Sequence, residues 1–125
     1  MNATSLAMRA YAQTTTATHT PRGTEYQVIA RVTHRMKAAA QQGSAGFAAL
    51  ASAIADNRRL WTALAVDAAG AGNALPDDVR ARIVFLAEFT HLHSRKVLTG
   101  AASPAPLLEV NAAILRGLRQ TAGAA

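Results

Sequence analysis

His91 and His93 are separated by one residue, Asp77 is followed directly by Asp78, and Gly70 and Gly72 flank a single alanine. Two histidines can share a metal ion only when both rings reach it. Residues two apart on a helix point about 200° away from each other, so this pair makes a poor chelate. His93 falls on an apolar face and reads as a hydrogen-bonded core or edge histidine, while His91 lies elsewhere on the wheel. Adjacent carboxylates in a first helical turn complement the positive end of the helix dipole more simply than they form an acid–base pair. The glycine pair lacks the strand-to-helix setting of a phosphate loop, and no nucleophile motif is present. The expectation is a protein that is not an enzyme, with no metal and no cofactor.

Three other residues are more informative. Asn57 and Asn111 each sit amid apolar side chains at helical spacing, and a buried amide left without partners costs about 1–3 kcal/mol. Each therefore either ties its helix to a neighbour or binds the backbone of an incoming peptide. Trp61, the single tryptophan, is either a core residue or an interface anchor. Arg58 lies at the edge of the same face and Arg59 points away from it. Glu25 falls near an apolar stripe in a first turn, where its charge suits the helix dipole but burial would require a basic or hydrogen-bonding partner. With Tyr11, these make up the candidate partner-binding set: Trp61, Asn57, Arg58, Asn111, Tyr11 and Glu25.

The elements that must position them are helical. Half of the residues are hydrophobic but many of those are alanine, the best helix former, and β-branched runs bounded by hairpin turns are missing. Residues 1–12 suggest a short N-terminal helix and 13–20 a polar, threonine-rich linker. Thr20-Pro21 then opens a helix running to about Gln42 and stopped by Gly43, with Ile29, Val32, Met36 and Ala40 on one stripe and Tyr26 at its edge. A second helix is expected from near Ser44 to near Gly70, with Phe47, Leu50, Ile54, Trp61, Leu64 and Ala68 inward. The third begins at Pro76-Asp77-Asp78 and closes at Gly100. Its stripe of Val79, Ile83, Leu86, Phe89 and Val97, widened by Phe85 and Leu92, suits a central helix. Ser103-Pro104 starts a fourth, on which Leu107, Leu108, Ile114, Leu115 and Leu118 surround Asn111, and a tail over 121–125 is expected to fray.

The fold expectation is all-α: a small bundle of four main helices with a short N-terminal helix, the domain proper covering 21–120. A chain of 125 residues has room for one core, which buries roughly two-thirds of the unfolded surface. The absence of cysteine excludes disulfides and thiolate metal sites. No stretch resembles a secretory signal or approaches the roughly 20 apolar residues of a membrane span, so a cytoplasmic location is expected. The formal charge of +6 is uneven, since residues 1–43 carry five basic residues against Glu25 alone. Such an end either meets nucleic acid or an acidic partner or is a solvated face.

Five segments in order look like the FlaF family: Ala10-Tyr11, Pro21-Arg22-Gly23-Thr24-Glu25, Asn57-Arg58-Arg59-Leu60-Trp61, Asn73-Ala74-Leu75-Pro76, and Asn111 through Leu118. The resemblance runs from about residue 5 to 119, with the threonine-rich linker and Gly23 departing from the family pattern. It implies a helical cytoplasmic protein needed for flagellin production and export, acting as flagellin chaperone or regulator, with a companion regulator, FlbT, at the same step. Flagellin is then the expected partner, held by helix-in-groove docking. The competing expectation is an RNA-binding regulator of flagellin synthesis, which the basic N-terminal third motivates and the lack of an RNA-module signature opposes. Neither the flagellin segment bound nor the oligomeric state follows from the residues.

Overall fold

Proline at the first position of a helix gives up an N–H that has no intrahelical acceptor, and here it starts α1, Pro21–Gln41. The computed structural model describes residues 21–124, with side chains over 25–117. The short N-terminal helix, the linker and Tyr11 lie outside the described residues. Ile29, Val32, Met36 and Ala39 form the buried line of α1, so the stripe closes on Ala39 and not on Ala40. Gly43 takes a left-handed conformation, φ +61°, that reverses the chain.

The second helix does not begin at Ser44. Gly43–Gly46 form a 3₁₀ turn and α2 spans Phe47–Ala69. Gly46 is the cause: it is buried, and a Cβ there would strike the carbonyl oxygen of Ala39, so only glycine lets α2 start tight against the end of α1. Phe47, expected to face inward, is half exposed, because its turn lies outside the packed part of the seam. At the other end of α2, Arg80 reaches back from the next helix. Its Nε donates to the Ala68 carbonyl at 2.5 Å and its Nη2 to that of Gly70 at 3.4 Å, placing a cation on the negative end of the helix. Asn73 shapes the connection, donating Nδ2 to the Asp67 carbonyl and accepting the Leu75 N–H.

α3, Asp77–Leu98, carries its two aspartates in the first turn and Arg95 and Lys96 in the last. It ends as expected on Gly100, φ +80°, with the Ala101 N–H bonding back to the Lys96 carbonyl at 2.8 Å. Its buried face is not the wide aromatic stripe. Ala87, Thr90, Ser94 and Val97 are buried, whereas Phe85 and Leu92 are 66% and 57% exposed and Val79 is also exposed. Small side chains let α3 lie close along α2, and that approach turns the aromatics outward. Nor is α3 central: it packs along α2 and barely meets α4. α4, Ala105–Ala124, begins where Ser103 Oγ accepts the Ala105 N–H, and it stays helical into the segment expected to fray.

The four helices form an up-down-up-down bundle in the spatial order α3, α2, α1, α4. Among the described residues there is no strand. Three layers stack along the bundle. At the end near the Gly43 and Gly100 turns, Val32, Met36, Ala53, Ile54, Val97 and Leu107 make a dry core. The middle layer is polar, and the far end opens into a groove.

Candidate functional site

The middle layer is built by Thr33 of α1, Asn57 and Trp61 of α2 and Asn111 of α4. Trp61 Nε1 donates to Asn111 Oδ1 at 2.9 Å. Asn111 Nδ2 donates to Asn57 Oδ1 and to Thr33 Oγ1, each at 2.9 Å, and the Thr33 hydroxyl donates on to the Ile29 carbonyl at 2.7 Å. Asn57, Trp61 and Asn111 are all completely buried. The network pins α4 to α1 and α2, with Asn111 as its hub, and it offers no surface to a partner unless the bundle opens. Trp61 lies inside this layer rather than in the groove. On the α3 side, Asn57 Nδ2 and the buried hydroxyls of Thr90 and Ser94 have no protein hydrogen-bond partner. Buried groups of this kind cost about 1–3 kcal/mol each where nothing satisfies them, and all three lie on the α2–α3 seam.

Arg58 sits on that seam, half-buried. Its Nε donates to His91 Nδ1 at 3.3 Å. Thr62 donates its hydroxyl proton to the Arg58 carbonyl, so its oxygen is left to accept the His91 Nε2–H at 2.9 Å. This arrangement requires a neutral His91 protonated on Nε2. Burial pushes its pKa below the ordinary histidine value, and the charges of Arg58 and Arg95 push the same way. His93 turns to the other side, stacks on Phe89 with ring centroids 5.4 Å apart, and bonds the Ser103 carbonyl. The two histidines thus serve different contacts. Among the described residues no three of His, Asp or Glu gather in a way that could hold a metal ion.

On the outer face of α1 and α2, Asp56 is bracketed by Arg35 and Arg59. The hydrogen bond from Arg35 lowers the Asp56 pKa; partial burial opposes it, and Arg59 adds to it. Exposed pairs of this kind contribute about 0–1 kcal/mol. Part of the basic excess of α1 is therefore already matched within the bundle.

Two surfaces remain with the character of binding sites. One is the groove at the open end, about 560 Å³, walled by Ile29, Leu64, Ile83, Leu86 and Ile114. Glu25 and Asp67 line it with Arg82. The other is the outer face of α3, where Phe85 and Leu92 stand exposed seven residues apart, with the partly buried Phe89 between them. Arg82 and Lys96 continue this line at either end. Of the sequence candidates, the structure joins Asn57, Trp61 and Asn111, sets Arg58 beside them on the seam, and places Glu25 apart at the groove. Sequence reasoning missed Thr33, Arg80 and the outward turn of Phe85 and Leu92. The flanking Arg82 and Lys96 were the available sign that this stripe faces water.

Bundle, polar layer and exposed apolar surfaces define a small all-α protein. The family model described as Flagellar protein FlaF matches residues 7–118, about nine-tenths of the chain. The chain belongs to the FlaF family, and it is a flagellar protein. No curated protein and no solved structure matches it. Among the described residues, no helix is long and apolar enough to cross a membrane.

Proposed function

We propose that this chain is a non-enzymatic flagellum assembly factor that binds flagellin in the cytoplasm before export and thereby also regulates its production. The observation that carries this reading is the exposed pair Phe85 and Leu92 on α3 of a FlaF-family protein. Seven residues apart, they lie about 10.5 Å apart along one side of the helix, the spacing that matches an apolar stripe on a second helix. Unassembled flagellin exposes such stripes on its amphipathic terminal segments, and burying them suppresses aggregation. Arg82 and Lys96 at the ends of the line orient the incoming segment electrostatically. Two aromatic or aliphatic anchors on one helix give moderate affinity, which suits a complex that must release at the export gate. A companion such as FlbT would act on the same complex.

The test is co-purification of flagellin with the wild type and with the Phe85→Asp, Leu92→Asp double variant, each with and without nuclease. A nuclease-resistant complex in the wild type, weakened thirtyfold or more in the variant at an unchanged thermal midpoint, supports the reading. Loss on nuclease treatment turns it toward RNA binding. Full binding by the variant removes α3 as the docking face.

A further inference from the structure

Besides the groove and the α3 stripe, the outer side of the α2–α3 seam carries two cations, Arg58 and Arg95, that make no salt bridge among the described residues. We propose that Arg58 and Arg95 form a binding site for a carboxylate side chain of a protein partner, with Arg58 as the fork that takes both oxygens.

The first argument is that Arg58 is held in place but only partly used. Its Nε donates to His91 Nδ1, the His91 Nε2–H donates to Thr62 Oγ1, and the Thr62 hydroxyl donates to the carbonyl of Arg58 itself. The ring of three bonds is closed. An arginine ordinarily loses side-chain freedom when it binds a ligand, and this one has given up part of that freedom beforehand. Its two Nη groups bond no protein atom among the described residues and are not buried, so they face water. A planar pair of N–H groups set in this way is the geometry that accepts a carboxylate through both oxygens.

The second argument is how charge is distributed around it. Arg95 is exposed one turn after His91 on α3, and the charges of Arg58 and Arg95 both bear on that ring. Because α2 and α3 run antiparallel, Arg95 lies level with the turn of α2 that precedes Arg58. On that face α2 carries Ala51 and Ala55, in line with Arg58 and Thr62 at helical spacing. Side chains so small leave the surface between the two arginines open. Arg35 and Arg59, by contrast, already share Asp56. Glu88, three positions before His91, forms a salt bridge with neither Arg58 nor Arg95.

The surroundings select the class of ligand. Asp56 stands two positions before Arg58 in the chain and Glu88 one turn before His91, so a phosphodiester chain would bring its successive charges toward one acid or the other. A single carboxylate meets only the two arginines. Arg95 also follows Leu92 by one turn, which sets the site at the border of the exposed apolar stripe. A charged site beside an apolar one suits an acidic side chain on a protein segment.

The site is distinct from Phe85 and Leu92 and its test uses no flagellin, so its failure and the failure of the flagellin reading are separate results. The probes are a 15-residue helical peptide with two glutamates one turn apart, its glutamine counterpart, inorganic phosphate and a single-stranded oligonucleotide, each titrated at one fixed ionic strength. Nuclear magnetic resonance follows the Arg58 Nε–H and the His91 ring. The glutamate peptide should shift both signals saturably and bind at least fivefold more tightly than the glutamine peptide. Arg58→Lys, which keeps the charge and loses the fork, should abolish that preference, while Arg59→Lys should retain it. Arg95→Gln, a change at an exposed position, should weaken the glutamate peptide at least threefold with circular dichroism unchanged. Equal binding of the two peptides, or full preference in Arg58→Lys or Arg95→Gln, would overturn the proposal. Phosphate that binds as tightly as the glutamate peptide would overturn it in favour of a free oxyanion, and an oligonucleotide that binds more tightly through Arg58 would overturn it in favour of nucleic acid.

Discussion

Trp61 and Asn111, fifty positions apart in the chain, are joined by a 2.9 Å hydrogen bond in the middle of the bundle. The contact links α2 to α4, two helices whose backbones do not otherwise approach closely. α4 is thus tied to α2 through one amide, while its apolar packing is against α1. The polar layer can be tested one residue at a time.

Asn111→Leu removes the partner of Trp61 Nε1 and of Asn57 Oδ1 together. The expected loss is about 2–4 kcal/mol, the cost of two buried groups left unpaired. Asn57→Leu should cost less, because Asn111 keeps Trp61 and Thr33 and because an amide N–H that already lacks a partner is removed with it. Urea melts of both variants decide the order; an Asn57 variant that is the weaker of the two contradicts the hub assignment.

Trp61 is fully buried, and Trp61→Ala should cost about 3–5 kcal/mol, enough to unfold much of a small domain. Trp61→Phe, which keeps most of the volume but not the N–H, should remain folded with a lowered midpoint. In the wild type, emission from this single tryptophan should be blue-shifted and shift red only with global unfolding. Unchanged melts in the alanine variant would place the indole outside the core.

His91 makes the α2–α3 seam sensitive to acid. Its folded pKa lies below the unfolded value of about 6.5, so the unfolded chain binds the proton more readily. The contribution is therefore complete above about pH 6.5, falls as the pH drops through that value, and is gone once the pH passes the lowered folded pKa. Denaturation midpoints measured from pH 7.5 to 5 should fall more in the wild type than in His91→Gln. Parallel profiles would mean that another group sets the acid limb.

Gly46→Ala should destabilise the α1–α2 corner by about 1–3 kcal/mol, because its methyl group would meet backbone and not a movable side chain. Gly117→Ala is the matched control, since a Cβ there meets nothing within 4 Å. Thermal midpoints that move equally in both variants would remove the steric account.

Hydrogen exchange should rank the helices. α3 rests on Ala87, Thr90 and Ser94 with two unsatisfied hydroxyls, so its amides should exchange through smaller openings than those of α2. Equal protection across α2 and α3 would show that the bundle opens only as a whole.

Helix number, their order and most of their ends were legible in the residues because those signals are local. Pro21, Gly43, Gly70, Pro76, Gly100 and Ser103 act through the chain's own dihedrals and caps, which need no neighbour. The family was legible for a related reason, since five short segments survive in order whatever the packing. The inward placement of Asn57 and Asn111 could be read from helical period alone. What those amides bond could not, because Thr33 and Trp61 meet Asn111 only when three helices converge. The wheel of α3 likewise offered two faces, one aromatic and one small. Tertiary packing chose the small one, since Ala87, Thr90 and Ser94 let the backbone of α3 come close to α2. A pattern of side chains records which faces are apolar; which of them is buried depends on how near the neighbouring backbone can lie.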